Sequence, residues 1–586
     1  MKAQVISSIL SISLVALFLS SSVYAEPADI IFTGGKVYTM NDQQPEAEAI
    51  AVSGNKIVMV GSAKEAEAYT GPNTEVLKLE GKMVMPGFVD AHNHLIAADW
   101  IGQGILLYSA TTKEETLKLV ADYAKANPDL PVITGAGWSP EIVGGQPTAA
   151  DLDVIVPDRP VLLIDYTSHE GWLNSAALKA QNITKDTPDS LPGTTYWVRD
   201  NEGNPTGMAV EFQWLGVYMG LGLWKPETMI RESILKLMGT AATHGTTALL
   251  SPGMLTPNLT SLDGQLKDYE IAMEVIEDLI EEGKMPLRSV SMPTFKTPDS
   301  TPERLVSFAQ AMRSKYNNDM HAVTGVKIHP ESGILNYGAP LLDPYVGKGT
   351  KGEFGVSPER TMALVLAANK AGLDVSIHTE GDASTRAAID AFEASLKAGT
   401  GQKVRNQLHH YMLVHPDDHQ RVIDLDILVN ATPYFTNTFG DQHIAYTNVL
   451  GEDRVNERMG LYSDLTHEEG VIMSLGSDYP GTPISMQNPL FNIQAAVTLR
   501  EPPNPKSVPF PPTRKPMTLQ QGLRAYTIDA AYFLHMEDKI GSLEVGKLAD
   551  VVVLEKDVRQ VDVETLKDVK ILGTMLDGKF THRKGI

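Results

Sequence analysis

Val84-Met85-Pro86-Gly87-Phe88-Val89-Asp90-Ala91-His92-Asn93-His94 carries an apolar run into an acidic residue and then into two histidines one residue apart. The run reads as a buried strand that delivers polar side chains at its carboxyl end. A strand's side-chain period of two puts His92 and His94 on one face. Two imidazoles on one face can hold one metal ion. A His-x-His pair on its own is as readily core packing as chemistry, and its place at a strand end favours chemistry.

The same pattern recurs downstream. Gly325-Val326-Lys327-Ile328-His329 closes an apolar run on a lysine. A buried ammonium is costly, so Lys327 is either a side chain snorkelling at a strand edge or a carbamylated lysine, a carboxylate-like ligand able to bridge two metals. Lys327 and His329 share a strand face. Leu373 to Ile377 leads into His378-Thr379-Glu380-Gly381-Asp382, so His378 ends a strand. Gln407-Leu408-His409-His410-Tyr411 ends in adjacent histidines. Neighbouring strand residues face opposite ways, so one of the two is expected in a common site. Ile472-Met473-Ser474-Leu475-Gly476-Ser477-Asp478 ends in an aspartate, which suits a metal ligand that also moves protons, or a helix N-cap. His244, His321, His415, His419, His443, His467, His535 and His582 sit in polar or loop contexts and are expected to face solvent.

Apolar runs at Val84–Val89, Val161–Ile164, Thr247–Leu250, Val323–Ile328, Val375–Ile377, Ile427–Val429 and Val471–Leu475 alternate with helical stretches such as Pro358–Ala371 and Ser384–Ala398. Repeated strand–helix units imply a parallel sheet, and this many favour an α/β fold of the (β/α)8 barrel type. An open doubly wound sheet is the alternative, but no glycine-rich phosphate turn follows the first strand. Residues 28–85 read as strands, and so do Leu548–Leu554 and Val569–Met575. The two ends are therefore expected to form one small β-sandwich domain, 26–85 plus 541–586. The barrel then spans 86–540, with an insert within about 100–240. The proline-rich 502–516 segment reads as a surface loop.

Composition narrows the classes. A chain with 42% hydrophobic and 21% charged residues is globular. It has no cysteine, so disulfides are excluded and metal ligands must be His, carboxylate or modified Lys. A net charge of −23 argues against nucleic acid as a partner. Residues 1–25 combine Lys2, an apolar run from Ile9 to Leu19, and Val23-Tyr24-Ala25. That is the pattern of a signal peptide cleaved after Ala25, which predicts a periplasmic or secreted protein. The apolar core is short for an uncleaved anchor, and no stable membrane anchor is expected.

With these segments in hand, the chain resembles the amidohydrolase superfamily, most closely the family-3 branch that includes N-substituted formamide deformylase. The resemblance covers essentially the whole mature chain. It rests on Pro86 to His94, Asp158-Arg159-Pro160-Val161 with His169, Asn174 to Leu178, Pro205-Thr206-Gly207 with Glu211, Gly325 to Lys327, His378 with Gly381-Asp382, His410, Gly476-Ser477-Asp478, and Gly541 to Asp550. It implies a TIM-like barrel, a β-sandwich from both termini and an inserted region. It also implies that His92 and His94 bind one metal, that carboxylated Lys327 bridges, that His378 and His410 bind a second, and that Asp478 completes the site. His410 is preferred to His409 because the family pattern there is Glu-His. The chain departs from that pattern at His409 itself, at Glu331-Ser332-Gly333 with Tyr337, and at Gly381-Asp382-Ala383-Ser384.

The functional expectation is an exported metal-dependent hydrolase of a small-molecule amide or other non-peptide C–N bond. One or two divalent ions, zinc by default, would activate water, and Asp478 would act as the catalytic proton carrier. Trp138, His169, Glu211 and Tyr337 are candidates for substrate binding, with Glu170 beside them. A lactonase, esterase or dipeptidase on the same site is the alternative within catalysis. A periplasmic binding protein on a degenerate barrel is the alternative of another class, and the complete ligand set argues against it. The partner is a small molecule; a homo-oligomer is left open.

Overall fold

The structure is a computed structural model that describes residues 26–586 apart from 167–168, 191–194, 259–260, 297–299, 438 and 441. The expected signal peptide, residues 1–25, lies outside the described residues.

The apolar runs become parallel strands, named in chain order β1 (Phe88–Asp90), β2 (Thr246–Pro252), β3 (Arg288–Met292), β4 (Gly325–Ile328), β5 (Asp374–His378), β6 (Gln407–His410), β7 (Leu428–Ala431) and β8 (Met473–Leu475). They pair in two sheets. One has the order His321–Val323, β3, β2, β1; the other runs Thr294–Phe295, β4, β5, β6, β7, β8. The sheets share two stretches of chain. β3 continues past Pro293 into Thr294–Phe295, and His321–Val323 continues past Thr324 into β4. Every residue of β2 to β8 is buried, as continuous apolar runs require when helices cover both faces. Helices Pro358–Lys370 and Asp382–Lys397 match the expected helical stretches within two residues.

The run Val84–Val89 is expected as one strand, but it divides at Gly87. Met83–Pro86 pairs antiparallel with Val551–Leu554 in a different sheet, and only Phe88–Asp90 enters the core. The Gly87 N–H donates to Asp550 O, and a Cβ there would meet Thr247 at 2.3 Å. Both ends of the described chain thus build one eight-stranded sheet, from Lys579–Arg583 through Val551–Leu554, Met83–Pro86 and Ile30–Tyr38 to Lys56–Gly61. It is one continuous hydrogen-bonded sheet with apolar clusters on its faces.

Val161–Asp165 corrects a second expectation. It pairs with Ile133–Trp138 and Glu170–Leu173 in a six-stranded mixed sheet running from Ile105 to Val210, apart from the two parallel sheets. An apolar run reports burial, not which sheet buries it. His321 is a third correction: it is fully buried, with Nδ1 3.3 Å from Glu277 Oε1.

Arg288 ties the end sheet to the core. Its side chain is wholly buried on β3, with Nε 2.7 Å from Asp550 Oδ2, Nη2 2.8 Å from Asp550 Oδ1 and 2.7 Å from Asp577 Oδ1. Removing the guanidinium leaves the buried Asp550 carboxylate without its cation, with the Asp577 N–H still donating to it. Arg288→Met is therefore expected to cost about 3–5 kcal/mol, whereas removing the half-exposed charge in Asp577→Asn costs well under half as much. Thermal melts of the three proteins check this ordering.

Candidate metal centre

The candidate residues lie at or just beyond the carboxyl ends of β1, β4, β5, β6 and β8, the end where parallel α/β sheets carry their chemistry. His92 and His94 lie just beyond β1, which ends at Asp90. A strand's alternation therefore does not bring them together; hydrogen bonds do. The Asp90 carboxylate accepts the His92 N–H at 3.2 Å, and the His94 N–H donates to Tyr479 O at 2.9 Å. The two rings meet edge to face with centroids 5.3 Å apart.

Asp478 stands three residues beyond β8 with φ +52°, so the backbone turns its carboxylate back over the histidines. Its N–H donates to His92 O at 2.8 Å. Neighbouring Ser477 gives its Oγ–H and its N–H to Asp90, at 2.6 and 3.1 Å. Gly476 allows the approach, since a Cβ there would lie 2.5 Å from His92 Cβ. Burial raises the Asp90 carboxyl to about 6 against these bonds.

The result is convergence on one point. Asp478 Oδ1 lies 3.3 Å from His92 Nε2 and 3.2 Å from His94 Nε2, and the ligand atoms of the three residues all lie within 4.8 Å of one another. His94 Nδ1 is 2.6 Å from Gly253 O and must donate to it, so in the neutral ring Nε2 presents a lone pair. A lone pair and a carboxylate oxygen at that distance repel unless a cation joins them. This donor set fits a divalent metal ion.

The other expected ligands continue from there. His410 ends β6 with its ring 4.6 Å from that of His92, and His378 ends β5 with its ring 4.5 Å from that of His410. Burial drives His92, His378 and His410 well below the ordinary histidine range, as ligands need. Lys327 is buried on β4, and its Nζ has no hydrogen-bond partner among the described residues. Burial pushes its amine down to about 7, opposed by the Asp478 charge. Burial resists ionisation of Asp478, but His410, His94 and Lys327 outweigh it and hold the carboxyl below its usual range.

Three site residues escaped the sequence reading. His329 stacks on His378, centroids 4.1 Å apart. Glu380 accepts the Ile334 N–H at 2.9 Å and places Oε1 3.5 Å from His378 Nε2; burial raises it to about 7. Each sits two residues beyond a recognised ligand, and that spacing was the available signal. The third is His409. Strand alternation predicted that only one of His409 and His410 reaches the site, yet both rings pack on His92, at 4.5 and 4.6 Å. Alternation fails because His410 has φ +72° and bends the backbone at the strand end.

The four residues expected to bind substrate separate. Glu211 accepts from His169 Nδ1 at 2.8 Å, and this pairing raises His169 above its ordinary range against its burial. Trp138 is not at the centre. It is buried in the mixed sheet's own apolar cluster, with Nε1 donating to Leu163 O at 3.1 Å. Tyr337 packs on Tyr345 with centroids 5.3 Å apart, beneath Lys348 Nζ at 4.7 Å. No contact described joins it to the histidines.

Comparison with known proteins identifies the family. The Amidohydrolase family model matches residues 75–582. The N-substituted formamide deformylase of Arthrobacter pascens is 24% identical over 588 residues, covering 95% of this chain and 98% of that one. Protein LONG AFTER FAR-RED 3 of Arabidopsis thaliana is 28% identical over 561 residues, covering 94% and 91%. A solved structure, an uncharacterized metal-dependent hydrolase from Pyrococcus horikoshii OT3, shares the fold with a TM-score of 0.69 at 22% identity, covering 91% of this chain and 99% of that one. The chain belongs to the amidohydrolase family.

Proposed function

We propose that the protein is exported and hydrolyses a small-molecule amide or other non-peptide C–N bond at a centre held by His92, His94, Lys327, His378, His410 and Asp478. The convergence of His92 Nε2 and His94 Nε2 on Asp478 Oδ1 carries this reading. Zinc is the default ion for an imidazole and carboxylate set without thiols, and the ring-to-ring series from His92 to His378 supports a second ion. The amino-terminal run to Ala25 supports export. The shared stretches at Pro293 and Thr324, with the Asp478-to-His92 bond, support one closed eight-stranded barrel over residues 86–540. The pairing of Met83–Pro86 with Val551–Leu554 supports a β-sandwich domain from both ends, and the mixed sheet is the insert.

When bound, the divalent ion supplies Lewis acidity, lowering the pKa of water from 15.7 towards about 7 and polarising a carbonyl. The chain's own residues do the rest. Asp478 is ionised at neutral pH, so it accepts the proton of the attacking water as the C–O bond forms. It returns that proton to the leaving nitrogen as the C–N bond breaks. The His169–Glu211 pair and Glu380 offer donors and acceptors to the substrate's polar groups. Asp478→Asn keeps the imidazoles and loses the base. Its metal content is expected to stay near wild type while kcat falls about 10²–10⁴-fold. Unchanged turnover would remove Asp478 from this role.

Lys327 acts as a carboxylated ligand in this reading. A buried amine without a partner, next to imidazole ligands, is the position where a carbamate would be held. Chelator-stripped protein should regain more zinc and more activity when bicarbonate accompanies the metal. Lys327→Met should bind less zinc per chain and ignore bicarbonate. A wild-type protein indifferent to bicarbonate would argue for an unmodified lysine.

The substrate bond is tested by a screen of N-formyl, N-acyl and cyclic amides beside lactones, with and without chelator. Chelator-sensitive cleavage of amides is the expected result. Cleavage of lactones or esters alone would shift the activity to the ester reading.

A further inference from the structure

Behind His92, on the side away from Asp478, four groups stand in line. His92 Nδ1 is 2.6 Å from His409 Nδ1. His409 Nε2 is 2.9 Å from Gln407 Oε1. Gln407 Nε2 is 3.3 Å from the main-chain oxygen of Phe533. Gln407 and His409 are two residues apart on β6 and share a face, and His92, His409 and Gln407 are all fully buried.

We propose that His409 is a positioning residue: with Gln407 it fixes the tautomer of His92 and thereby sets how tightly the centre holds its metal. This rests on the metal-centre reading above.

The direction of every bond follows from the far end. A main-chain carbonyl oxygen only accepts, so Gln407 turns its NH2 to Phe533 and its Oε1 to His409. An amide oxygen also only accepts, so His409 Nε2 carries the hydrogen. His409 is buried and neither of its ring nitrogens faces a carboxylate, so the ring is neutral and its Nδ1 is a bare lone pair. A bare lone pair 2.6 Å from His92 Nδ1 requires that His92 donate there. His92 Nε2, 3.3 Å from Asp478 Oδ1, then has its lone pair free for the metal. The polarity of one peptide carbonyl thus passes through two side chains to the coordinating nitrogen.

Two consequences distinguish this from packing. An N–H donated at Nδ1 raises the basicity of Nε2 and fixes the plane of the ring. An imidazole does so without adding a negative charge, unlike the glutamate that the resembled pattern has at this position. What matters at residue 409 is therefore an acceptor at the place of Nδ1, not ring volume. Leucine fills the space without accepting. Asparagine puts Oδ1 close to where Nδ1 stood.

The test is zinc affinity, measured on full-length chelator-stripped protein by competition with a chromogenic chelator. Circular dichroism and thermal melts without zinc report folding. His409→Leu is expected to weaken zinc binding about 10–100-fold, and His409→Asn to recover to within about threefold of wild type. Gln407→Leu, which frees His409 to adopt either tautomer, should weaken zinc by a smaller factor. Wild-type affinity in His409→Leu, or equal losses in the leucine and asparagine variants, would overturn the relay and leave residue 409 a packing position. If His409→Leu does not fold, Gln407→Leu decides, and unchanged zinc affinity there overturns the proposal. A wild-type chain that retains no zinc would instead overturn the metal centre itself, a result distinct from any ordering among the variants.

Discussion

The main-chain hydrogen bond from Asp478 N–H to His92 O joins the segment after β8 to the segment after β1, at the spot where the Asp478 carboxylate meets the His92 and His94 rings. The centre depends on that seam. Without it the Asp478 carboxylate and the two imidazoles belong to segments nearly four hundred residues apart in sequence. The seam is over-determined. Asp90 takes two bonds from Ser477 and one from His92, so a single buried carboxylate grips both strands. Gly476 removes the side chain that would hold them apart. Asp478 occupies the left-handed region, a costly conformation for a residue with a side chain, and such strain persists only where the surroundings impose it.

The electrostatics follow the same logic. Burial weakens the site's positive charge: His92, His378 and His410 are held well below the ordinary histidine range and the Lys327 amine falls to about 7. What remains is a pocket rich in lone pairs with one carboxylate held ionised. Such a pocket is unfavourable when empty and strongly favourable around a divalent cation, so metal binding and local order are coupled. Two further carboxylate–imidazole contacts bring ionisable groups together, Glu380 with His378 and Glu211 with His169.

Much of this was legible in the sequence, and the limits have physical causes. Apolar runs ending in His, Lys or Asp identified strand ends correctly, because a parallel strand buried on both faces has no polar alternation to confuse the reading. The sequence brought the right residues to attention for a reason that was not the operative one. His92 and His94 meet through hydrogen bonds past the end of β1, not through the strand's period. His409 was set aside because alternation assumes regular φ and ψ, and His410 breaks that regularity. Trp138 was drawn toward the site by its sequence neighbourhood, but aromatic bulk serves a hydrophobic core as readily as a substrate wall. Pairing partners were the least visible. Met83–Pro86 and Val551–Leu554 each read as strands, yet their adjacency is a long-range fact that local pattern does not encode.

Position 409, one of the places where the chain departs from the pattern it resembles, is fully engaged by its surroundings. A residue that merely drifted at 409 would leave a buried polar atom unpaired, because a buried site cannot borrow water. Instead both His409 nitrogens are engaged, and Gln407 has the matching acceptor on one side and donor on the other. A neutral ring at 409 engages His92 without placing a carboxylate beside it, so this position sets the electronic surroundings of His92 while leaving the convergence of His92, His94 and Asp478 in place.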